Sequence, residues 1–569
     1  MNKKDVVKLL ETIAIYMELK GENQFKVSAF RKAAQALEVD ERSLNEIEDF
    51  TKLSGIGKGT AAVITEYIET GSSEVLLELQ EEVPKGLIPL LRLQGLGGKK
   101  IAKLYKELKI TNAEELKKAC EEGKVSQLSG FGKKSEENIL ESLKTMGTKP
   151  DRLPLAVMLP IVEDIEMKLT EMKDIVRFSR AGSVRRGRET IKDLDFIIAT
   201  DHPASVKEQI LALKNIDHIV AAGDTKVSLA LAYDYEIAVD FRMVKPAEFA
   251  TALHYFTGSK DHNVRLRQLA KERGEKVSEY GVENLENGEV QTFESEEDLF
   301  GHFNLPYFPP EIRQDGTEID KYHADYGLIS LEDIKGDLHM HTTWSDGSHT
   351  LKEMVEACRA KGYRYMAITD HSQYLKVANG LTAERLLKQK EEIRKLNEEY
   401  EDIMILSGIE MDILPDGSLD FDDEILAQLD IVIASIHSSF SQPQEVIMER
   451  LKTALKNKHV DIIAHPTGRV IGRRDGYAVD MDLLIELAKE TNTALELNAN
   501  PNRLDLAAEN VKKAQDAGVN IVINTDAHSI DMLENMDVGV SNAKRGWLKK
   551  NSVLNAQSED DLLAFLRRD

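Results

Sequence analysis

The first 150 residues repeat a pattern of short turns followed by helices in which apolar side chains recur every three or four positions. This spacing predicts amphipathic helices, and the opening segment MNKKDVVKLLETIAIYME fits it. Acidic residues soon interrupt its basic start and no small-residue cleavage site follows, so we expect a helix and not a signal peptide. We predict an α-helical N-terminal region.

Residues 151–250 show a different pattern, in which short apolar runs mix with helical stretches. The runs DFIIAT, IEMKL and IAVDFRMV are typical of strands, which predicts an α+β domain. Residues 251–310 return to helix with some strand. The proline-rich, acidic passage LPYFPPEIRQDGTEIDKY then indicates a linker.

From Gly336 onward, strand-like runs alternate with helical segments. Repeated βα units predict a parallel barrel, whose strand ends carry the chemistry. The runs are MAITD, IMILSGIE, IVIASIH, DIIAHP, ALELNA and IVINTDAH.

Composition places the chain among ordinary multidomain proteins. Its 569 residues exceed what one hydrophobic core supports, so we expect three or four domains. No apolar run approaches the roughly 18 residues that cross a bilayer, which argues against a membrane. The only cysteines, Cys120 and Cys358, lie far apart in sequence, which excludes a disulfide framework and predicts a reducing cytoplasm.

The net charge of −25 argues at first against nucleic acid. The charge is unevenly distributed, however, because residues 1–150 carry 24 basic and 24 acidic side chains. The overall charge therefore excludes neither a nucleic-acid ligand nor a metal-binding C-terminal half.

Three segments of this N-terminal region share the form L-x-G-hydrophobic-G followed by a helix: LSGIGKGTAAVITEYI (53–68), LQGLGGKKIAKLYKEL (93–108) and LSGFGKKSEENILESL (128–143). Such a turn can hold a nucleic-acid phosphate on backbone N–H groups, often with K⁺ or Na⁺ on its carbonyls. The alternative is that the turns only let helix pairs pack. The segments resemble helix-hairpin-helix motifs, and the predicted DNA-binding residues are Gly55, Gly57, Lys58, Gly95, Gly97, Gly130 and Gly132.

The stretch GSVRRGRETIKDLD (182–195) combines arginines, which suit an anionic ligand, with two aspartates that would repel one. Asp193 and Asp195 would share one face of a strand, and Asp240 lies in another strand-like run. Clustered carboxylates are costly unless divalent cations bind between them. We predict two Mg²⁺ or Mn²⁺ ions here. Gly182 permits a tight turn against phosphate, Ser183 offers a hydroxyl and Arg186 a bidentate fork. Otherwise the aspartates are surface acids beside unrelated arginines.

The spacing G-S-x9-D-x-D is the signature of nucleotidyltransferases. Together with RLPLAVM, GSVRRG, VDFR and YFTGSKDHNVRLR, it makes residues 1–315 resemble DNA polymerase family X. The resemblance implies that Asp193, Asp195 and Asp240 are catalytic metal ligands. It also implies nucleotide-binding roles for Arg152, Gly182, Ser183, Arg186, Tyr255, Phe256, Gly258 and Asn263, although Phe256 could equally be a core residue.

The same resemblance assigns DNA-binding roles outside the turns. Lys26 matches the lysine that grips a 5′-phosphate, and Arg267 would contact the template strand. The family's Schiff-base lysine is replaced by Val63, which has no amine to attack a sugar aldehyde. We therefore expect a gap-binding protein without the usual lyase route.

The C-terminal half carries imidazoles and carboxylates at predicted strand ends, a mixture that suits Zn²⁺, Mn²⁺ or Fe²⁺. His339 and His341 would alternate on one strand face, and Asp346 follows in a turn. Nine ligands exceed what one ion accepts, so we expect two or three ions, Mn²⁺ or Zn²⁺. Residues 336–569 resemble the PHP (polymerase and histidinol phosphatase) domain, whose ligand positions would be His339, His341, Asp346, His371, Glu410, His437, His465, Asp526 and His528. For any lone histidine, simple packing is the alternative.

The predicted fold is multidomain, with helical helix-hairpin-helix domains, an α+β nucleotidyltransferase palm and thumb, and a distorted (β/α)7 PHP barrel. The predicted segments are 1–90 (lyase-like), 91–150 (fingers), 151–245 (palm), 246–315 (thumb), 316–335 (linker) and 336–569 (PHP phosphoesterase).

The two halves together resemble bacterial family X polymerases that carry a PHP domain. This resemblance implies template-directed gap filling in base excision repair, with a 3′-5′ exonuclease that also has 3′-phosphatase and abasic-site endonuclease capacity. The implied partners are gapped, nicked or primer-template DNA and dNTPs, with the chain acting as a monomer. The alternatives are a non-templated nucleotidyltransferase, a histidinol-phosphatase-type enzyme and a DNA-end-binding scaffold.

Overall fold

The computed structural model describes residues 3–39, 44, 47, 49–93, 96–146 and 151–566. The chain forms two compact units. The first comprises residues 1–150, 341–354 and 370–386, and the second comprises 151–340, 355–369 and 387–569. The predicted glycine at position 95 lies outside the described residues.

The N-terminal part of the first unit is helical, as its periodicity predicts. Its helices are α1 (Lys3–Lys20), α2 (Gln24–Val39), α3 (Lys58–Thr70), α4 (Glu74–Glu82), α5 (Gly98–Leu108), α6 (Ala113–Glu121) and α7 (Lys133–Met146). Two apolar clusters hold them together, and α1 contributes to both, with Leu10 and Ile13 in one and Leu19 in the other. Gly57 and Gly97 precede α3 and α5 as N-caps.

The second unit begins with a five-stranded sheet in the order β2-β4-β7-β6-β5. The elements of this region are β1 (Leu153–Pro154), α8 (Leu155–Glu171), β2 (Arg177–Arg180), α9 (Gly182–Arg185), β3 (Thr190–Ile191), β4 (Leu194–Ala199), α10 (Pro203–Leu211), β5 (Ile216–Ala222), β6 (Lys226–Ala232) and β7 (Glu236–Val244). β4 and β7 are parallel, and Asp195 lies directly opposite Asp240.

One strand prediction in this region is wrong. The run IEMKL forms the end of α8 instead of a strand. Ile165 and Leu169 are both buried and lie four residues apart, which is the helical spacing of a core-facing stripe. A five-residue apolar run does not by itself distinguish strand from helix.

Helices and a small antiparallel sheet follow, around a core that includes Leu266, Phe300 and Phe308. These elements are α11 (Phe249–Thr257), α12 (Lys260–Glu272), β8 (Glu275–Ser278), β9 (Gly281–Asn284), β10 (Val290–Gln291), α13 (Glu296–His302) and α14 (Glu318–Lys321). Ile319, in the passage read as a linker, packs into this core.

Seven parallel strands then form one sheet in sequential order, β11 to β17. The strands are β11 (Gly336–Asp337), β12 (Tyr365–Ile368), β13 (Met404–Asp412), β14 (Ile431–Ser435), β15 (Ile462–Ile463), β16 (Ala494–Asn498) and β17 (Ile521–Asn524). The helices are α15 (Leu351–Ala360), α16 (Ala383–Glu399), α17 (Asp423–Leu426), α18 (Gln444–Lys456), α19 (Met481–Thr491), α20 (Ala508–Ala517), α21 (Asn535–Arg545) and α22 (Glu559–Leu566).

A bridge between Met340 and Ala527 nearly closes this sheet into a barrel. The predicted seven-stranded barrel is therefore confirmed. β11 is shorter than expected, because it ends at Asp337. His339 thus follows the strand and does not lie on it. Among the described helices, none has the length and apolar character to cross a membrane.

Candidate active sites

Three carboxylates meet at two neighbouring inner strands of the five-stranded sheet. Asp195 and Asp240 are in register on β4 and β7, and Asp193 lies just before β4. Burial, together with the charges of Asp193 and Asp240, raises the pKa of Asp195 to about 6 against the opposing charges of Arg242 and Lys226. This crowding is the arrangement that a divalent cation relieves. The donor set therefore fits the predicted metal pair.

Two polar neighbours hold Asp240 in place. Ser228 Oγ donates to Asp240 Oδ1 at 2.7 Å, and Lys226 Nζ lies 2.7 Å from Oδ2. Both partners stand on β6, the strand that pairs with β7 on its other side. The contact of Lys226 with Asp240 was not predicted, because it depends on the antiparallel pairing of β6 with β7.

A cavity of about 450 Å³ opens beside these aspartates. It is lined by all eight predicted nucleotide-binding residues together with Asp193, Asp195, Lys192, Lys260 and Arg267. Gly182 has a φ of +58°, and a Cβ there would lie 2.6 Å from Asp195 Oδ2. Only glycine allows the turn this close to the carboxylate.

Arginines also line this cavity. Burial, followed by the charges of nearby arginines such as Arg188, lowers the pKa of Arg186 to about 10, with Asp195 opposing the shift. Its guanidinium also donates to the carbonyl of Thr257. Arg152 Nε donates to Thr190 Oγ1 at 3.0 Å. The cavity lining thus combines basic side chains with the aspartates.

The segment after α11 completes the cavity. Asn263 Nδ2 donates to the Tyr255 carbonyl at 2.7 Å, while its buried Oδ1 has no hydrogen-bond partner among the described residues. The Arg242 guanidinium lies 3.9 Å from the centre of the Phe256 ring, which also packs against a small apolar cluster. Asn263 thus offers a free acceptor, whereas Phe256 combines cavity lining with core packing.

The glycine turns of the N-terminal helices leave backbone open. A Cβ at Gly57, Gly97, Gly130 or Gly132 would meet no atom within 4 Å. Local packing therefore does not explain these four glycines. Gly130 has a φ of +90°, which supplies a conformational reason at that position alone among the four. Lys58 is exposed at the first position of α3.

Lys26 is exposed on α2, and beside it the sequence analysis missed an aromatic side chain. Phe25 is 85% exposed, the largest exposed fraction among the apolar side chains described as exposed. The polar context NQFKVS was the available signal. By contrast, Val63 is buried in the helical core.

Six of the nine predicted barrel ligands lie in the second unit, and the structure brings them together. Glu410 is central: its Oε1 lies 2.9 Å from His465 Nε2 and 3.2 Å from His437 Nε2, and its Oε2 lies 3.4 Å from His339 Nε2. Asp526 Oδ1 lies 3.5 Å from His339 Nε2 and 3.7 Å from His528 Nδ1.

The remaining three, His341, Asp346 and His371, lie in the first unit. One ligand atom from each lies within 4.8 Å of the others. The two imidazole rings are 4.4 Å apart, and His371 Nε2 is 3.6 Å from Asp346 Oδ1. Each group has the spacing of metal ligands.

The electrostatics of the larger group also fit a cation. Burial alone would lower the pKa of His437, but Glu410 and Asp412 outweigh it and raise the pKa to about 10. The pKa of His339 is likewise raised against burial, by Glu496, Asp526 and Glu410. These carboxylates thus require positive charge among them. His465 Nδ1 is buried and has no hydrogen-bond partner among the described residues.

Two buried carboxylates that the sequence analysis missed orient these histidines. Glu496 Oε1 lies 2.7 Å from His339 Nδ1, and Glu496 Oε2 accepts from the His465 backbone N–H at 2.7 Å. Asp412 Oδ1 lies 3.2 Å from His437 Nδ1. A carboxylate on the outer nitrogen fixes the ring and its tautomer. Their alternate positions on strands, as in E-x-D for Glu410 and Asp412, were the available signal.

Family models match four parts of the chain. They are a helix-hairpin-helix domain at residues 1–73, a SAM-like helix-hairpin-helix tandem at 87–145, a DNA polymerase beta thumb at 252–314 and a PHP domain at 337–500. These matches confirm the predicted fold class.

Relatives match the whole chain or its C-terminal part. The DNA polymerase/3′-5′ exonuclease PolX of Bacillus subtilis (strain 168) is 63% identical over 569 residues, covering 100% of both chains. A probable phosphatase of Thermoanaerobacter sp. (strain X514) is 31% identical over 230 residues, covering 38% of this chain and 89% of the relative. A probable phosphatase of Acetivibrio thermocellus is 31% identical over 201 residues, covering 34% and 78%. Full-length identity of this extent shows that the chain belongs to the PolX family of DNA polymerase/3′-5′ exonucleases.

Proposed function

We propose that the chain is a template-directed DNA polymerase that fills short gaps in base excision repair, and that its PHP half is a metal-dependent 3′-5′ exonuclease. The observation that carries the polymerase assignment is the register of Asp195 and Asp240 beside a cavity lined by all eight predicted nucleotide-binding residues. The name and full-length identity of the Bacillus subtilis relative support both activities.

In the polymerase site, basic residues would bind the triphosphate and aspartates would hold the cations. Arg152, Ser183 and Arg186 line the cavity where phosphate oxygens would lie. Tyr255, Phe256 and Gly258 would border the sugar, and the free acceptor of Asn263 would face the base edge. Two Mg²⁺ or Mn²⁺ ions would activate the primer hydroxyl and stabilise the leaving pyrophosphate.

The N-terminal helices would hold gapped, nicked or primer-template DNA by its backbone. The open glycine turns present helix N-termini, which favour phosphate, with K⁺ or Na⁺ on their carbonyls. Lys26 would grip a 5′-phosphate, and exposed Phe25 offers a stacking surface for an unpaired base. Arg267 would contact the template. Buried Val63 supplies no amine for a Schiff base.

In the PHP half, all nine predicted residues would ligate two or three Mn²⁺ or Zn²⁺ ions. These ions would activate the attacking water. Glu496 and Asp412 hold the imidazoles in orientation. The names of two probable phosphatases favour a second activity, removal of 3′-phosphates, and abasic-site cleavage would use the same chemistry.

We further propose the six-segment domain division set out from the sequence, a monomeric chain and action in the bacterial cytoplasm. The matches at residues 1–73, 252–314 and 337–500 each fall within one proposed segment, whereas the match at 87–145 begins before the proposed boundary after residue 90. The two cysteines are buried as free thiols, which suits a reducing compartment.

The test uses one gapped duplex with dNTPs and Mn²⁺. Asp193→Ala with Asp195→Ala should abolish incorporation and leave 3′-end hydrolysis. His339→Ala with His341→Ala should do the reverse, because the sites use separate metals. Omitting the template strand then separates this function from non-templated transfer.

Asp201→Asn and His323→Ala serve as matched controls, since both side chains are exposed. Loss of both activities in either double variant, with folding intact, would refute separate sites. If the wild type shows neither activity, the chain is an end-binding scaffold. Hydrolysis of histidinol phosphate in place of DNA ends would instead identify a small-molecule phosphatase.

A further inference from the structure

Glu189, which follows the turn from Gly182 to Arg186 in the chain, is held by two arginines of the barrel half. Glu189 Oε1 lies 2.9 Å from Arg469 Nη2, and Glu189 Oε2 lies 3.2 Å from Arg469 Nη1. Arg545 Nη1 adds a contact at 3.8 Å. The side chains of Glu189 and Arg469 are only 24% and 19% exposed, so the pair is partly desolvated. Such bidentate, low-exposure pairs resist solvent screening better than surface pairs.

On the palm side, Glu189 closes the turn that begins at Gly182. Its carbonyl accepts from the Leu155 N–H at 2.8 Å. The next residue, Thr190, pairs with Pro154 across β1 and β3 and receives the Arg152 Nε hydrogen bond at 3.0 Å. Displacement of Glu189 would therefore move Arg152, which lines the nucleotide cavity.

A second barrel contact reaches the same turn. Arg545 Nη1 donates to the Gly187 carbonyl at 3.3 Å. Gly187 has a φ of +61°, and a Cβ there would lie 2.2 Å from Ser541 Oγ on α21. The turn and α21 thus approach each other as closely as glycine permits.

On the barrel side, Arg469 follows the predicted metal ligand His465 by four residues. Its Nε donates to the Arg503 carbonyl at 2.9 Å, and its Nη2 donates to the Leu504 carbonyl. Arg503 Nε lies 3.9 Å from Asp526 Oδ2. The Arg469 guanidinium is therefore held both by carbonyls of the barrel loop and by the carboxylate of Glu189.

We propose that Glu189, Arg469 and Arg545 are positioning residues for the incoming nucleotide, through which the hydrolytic half sets the geometry of the polymerase's triphosphate turn. This inference rests on the proposed assignment of Arg152, Ser183 and Arg186 to the triphosphate. With Arg469 in place, the Glu189 charge is neutralised. Without it, the carboxylate keeps only the longer contact of 3.8 Å with Arg545 Nη1, so its charge is less well neutralised and would repel triphosphate and compete for its arginines.

The experiment measures single-nucleotide gap filling by the full chain with Mg²⁺, comparing wild type, Glu189→Gln, Arg469→Gln and the double variant. Arg469→Gln should raise KM for dNTP about 10-fold, the size expected for contacting charges, while kcat changes little. The double variant should cost less than the product of the single effects. Arg469→Lys should recover part of the loss, and it carries the test if Arg469→Gln fails to fold.

The matched control is the exposed pair Arg364–Glu559, 3.4 Å apart with side chains 61% and 43% exposed. Arg364→Gln should leave KM unchanged. An unchanged KM in both Glu189→Gln and Arg469→Gln, or multiplicative effects in the double variant, would overturn the inference. Arg186→Gln distinguishes failure of the positioning role from failure of the proposed nucleotide site. If KM for dNTP rises in Arg186→Gln but in neither Glu189→Gln nor Arg469→Gln, the nucleotide site is upheld and the positioning role is rejected. If KM is unchanged in Arg186→Gln as well, both proposals are rejected.

Discussion

Asp195 and Asp240 lie opposite each other on two neighbouring parallel strands, with their Cα atoms in register. Two residues 45 positions apart in the chain thus form one acidic cluster, because β7 pairs with β4 in the sheet. This pairing places two carboxylates next to each other, and a proton or a cation relieves the repulsion between them. Burial and the acidic neighbours raise the pKa of Asp195 to about 6, which reflects this repulsion.

Asp195→Asn should raise the melting temperature of the metal-free protein at pH 7.5, because it removes one of three mutually repelling charges. It should also shrink the rise in melting temperature that Mn²⁺ produces. Thermal unfolding with and without Mn²⁺ measures both effects. Asp201→Asn, an exposed aspartate of the same region, is the control. A melting temperature of metal-free Asp195→Asn at or below wild type would contradict the prediction.

Glu496→Gln should weaken metal binding by the barrel about 10- to 100-fold, since it removes the carboxylate that orients His339. Calorimetric Mn²⁺ titration of the full chain measures this directly, and nucleotide incorporation should persist. Glu486→Gln, an exposed glutamate on α19, should bind Mn²⁺ normally. Wild-type Mn²⁺ affinity in Glu496→Gln would show that His339 needs no such partner.

Leu504→Ala should destabilise the palm even though Leu504 belongs to the barrel half. The side chain is fully buried within the apolar core that includes Phe196 and Phe241. Truncation there should cost about 3 kcal/mol through the cavity it leaves. Urea unfolding, followed together with loss of incorporation, tests this. The comparison is Leu483→Ala, which removes a 38% exposed leucine and should cost little.

Glu296→Gln should lower stability at neutral pH, and the deficit should vanish in acid. Burial would raise the pKa of Glu296, but Arg313 and Arg185 outweigh it and hold the pKa at about 2. A lowered carboxyl pKa stabilises the fold above the ordinary value of 4.5, and that stability is lost as pH falls towards 2.

Equilibrium unfolding of wild type and Glu296→Gln between pH 6 and pH 2 checks the sign, since the two curves should converge as pH falls. Exposed Glu297→Gln should parallel wild type throughout. A gap that stays constant down to pH 2 would mean that the effect is steric.

Gly57→Ala should weaken binding to gapped DNA and lower the melting temperature only slightly, since alanine is a poorer helix N-cap than glycine. Gly57 has a φ of −88°, and a Cβ there meets no atom within 4 Å, so alanine fits the fold. The methyl group would, however, obstruct close approach of a phosphate to the turn. Fluorescence anisotropy measures the affinity. At Gly130, where φ is +90°, alanine should instead destabilise the protein.

The sequence predicted those features that follow from local pattern. Helix periodicity located the N-terminal helices, and the spacing from Gly182 to Asp195 identified the palm turn. The short run IEMKL failed because apolar composition alone does not fix the period. Lys226, Glu496 and Glu189 escaped prediction for another reason. Their contacts with Asp240, His339 and Arg469 join distant parts of the chain, which no local spacing encodes.

The burial of Leu504 in the palm core bears on how such a chain can evolve. A lineage that lost the hydrolytic half would also lose Leu504 and leave a cavity in the palm core. It would then need compensating substitutions to restore the stability of the polymerase half. The polymerase and exonuclease halves are thus inherited as one folding unit, and selection on either activity constrains the other.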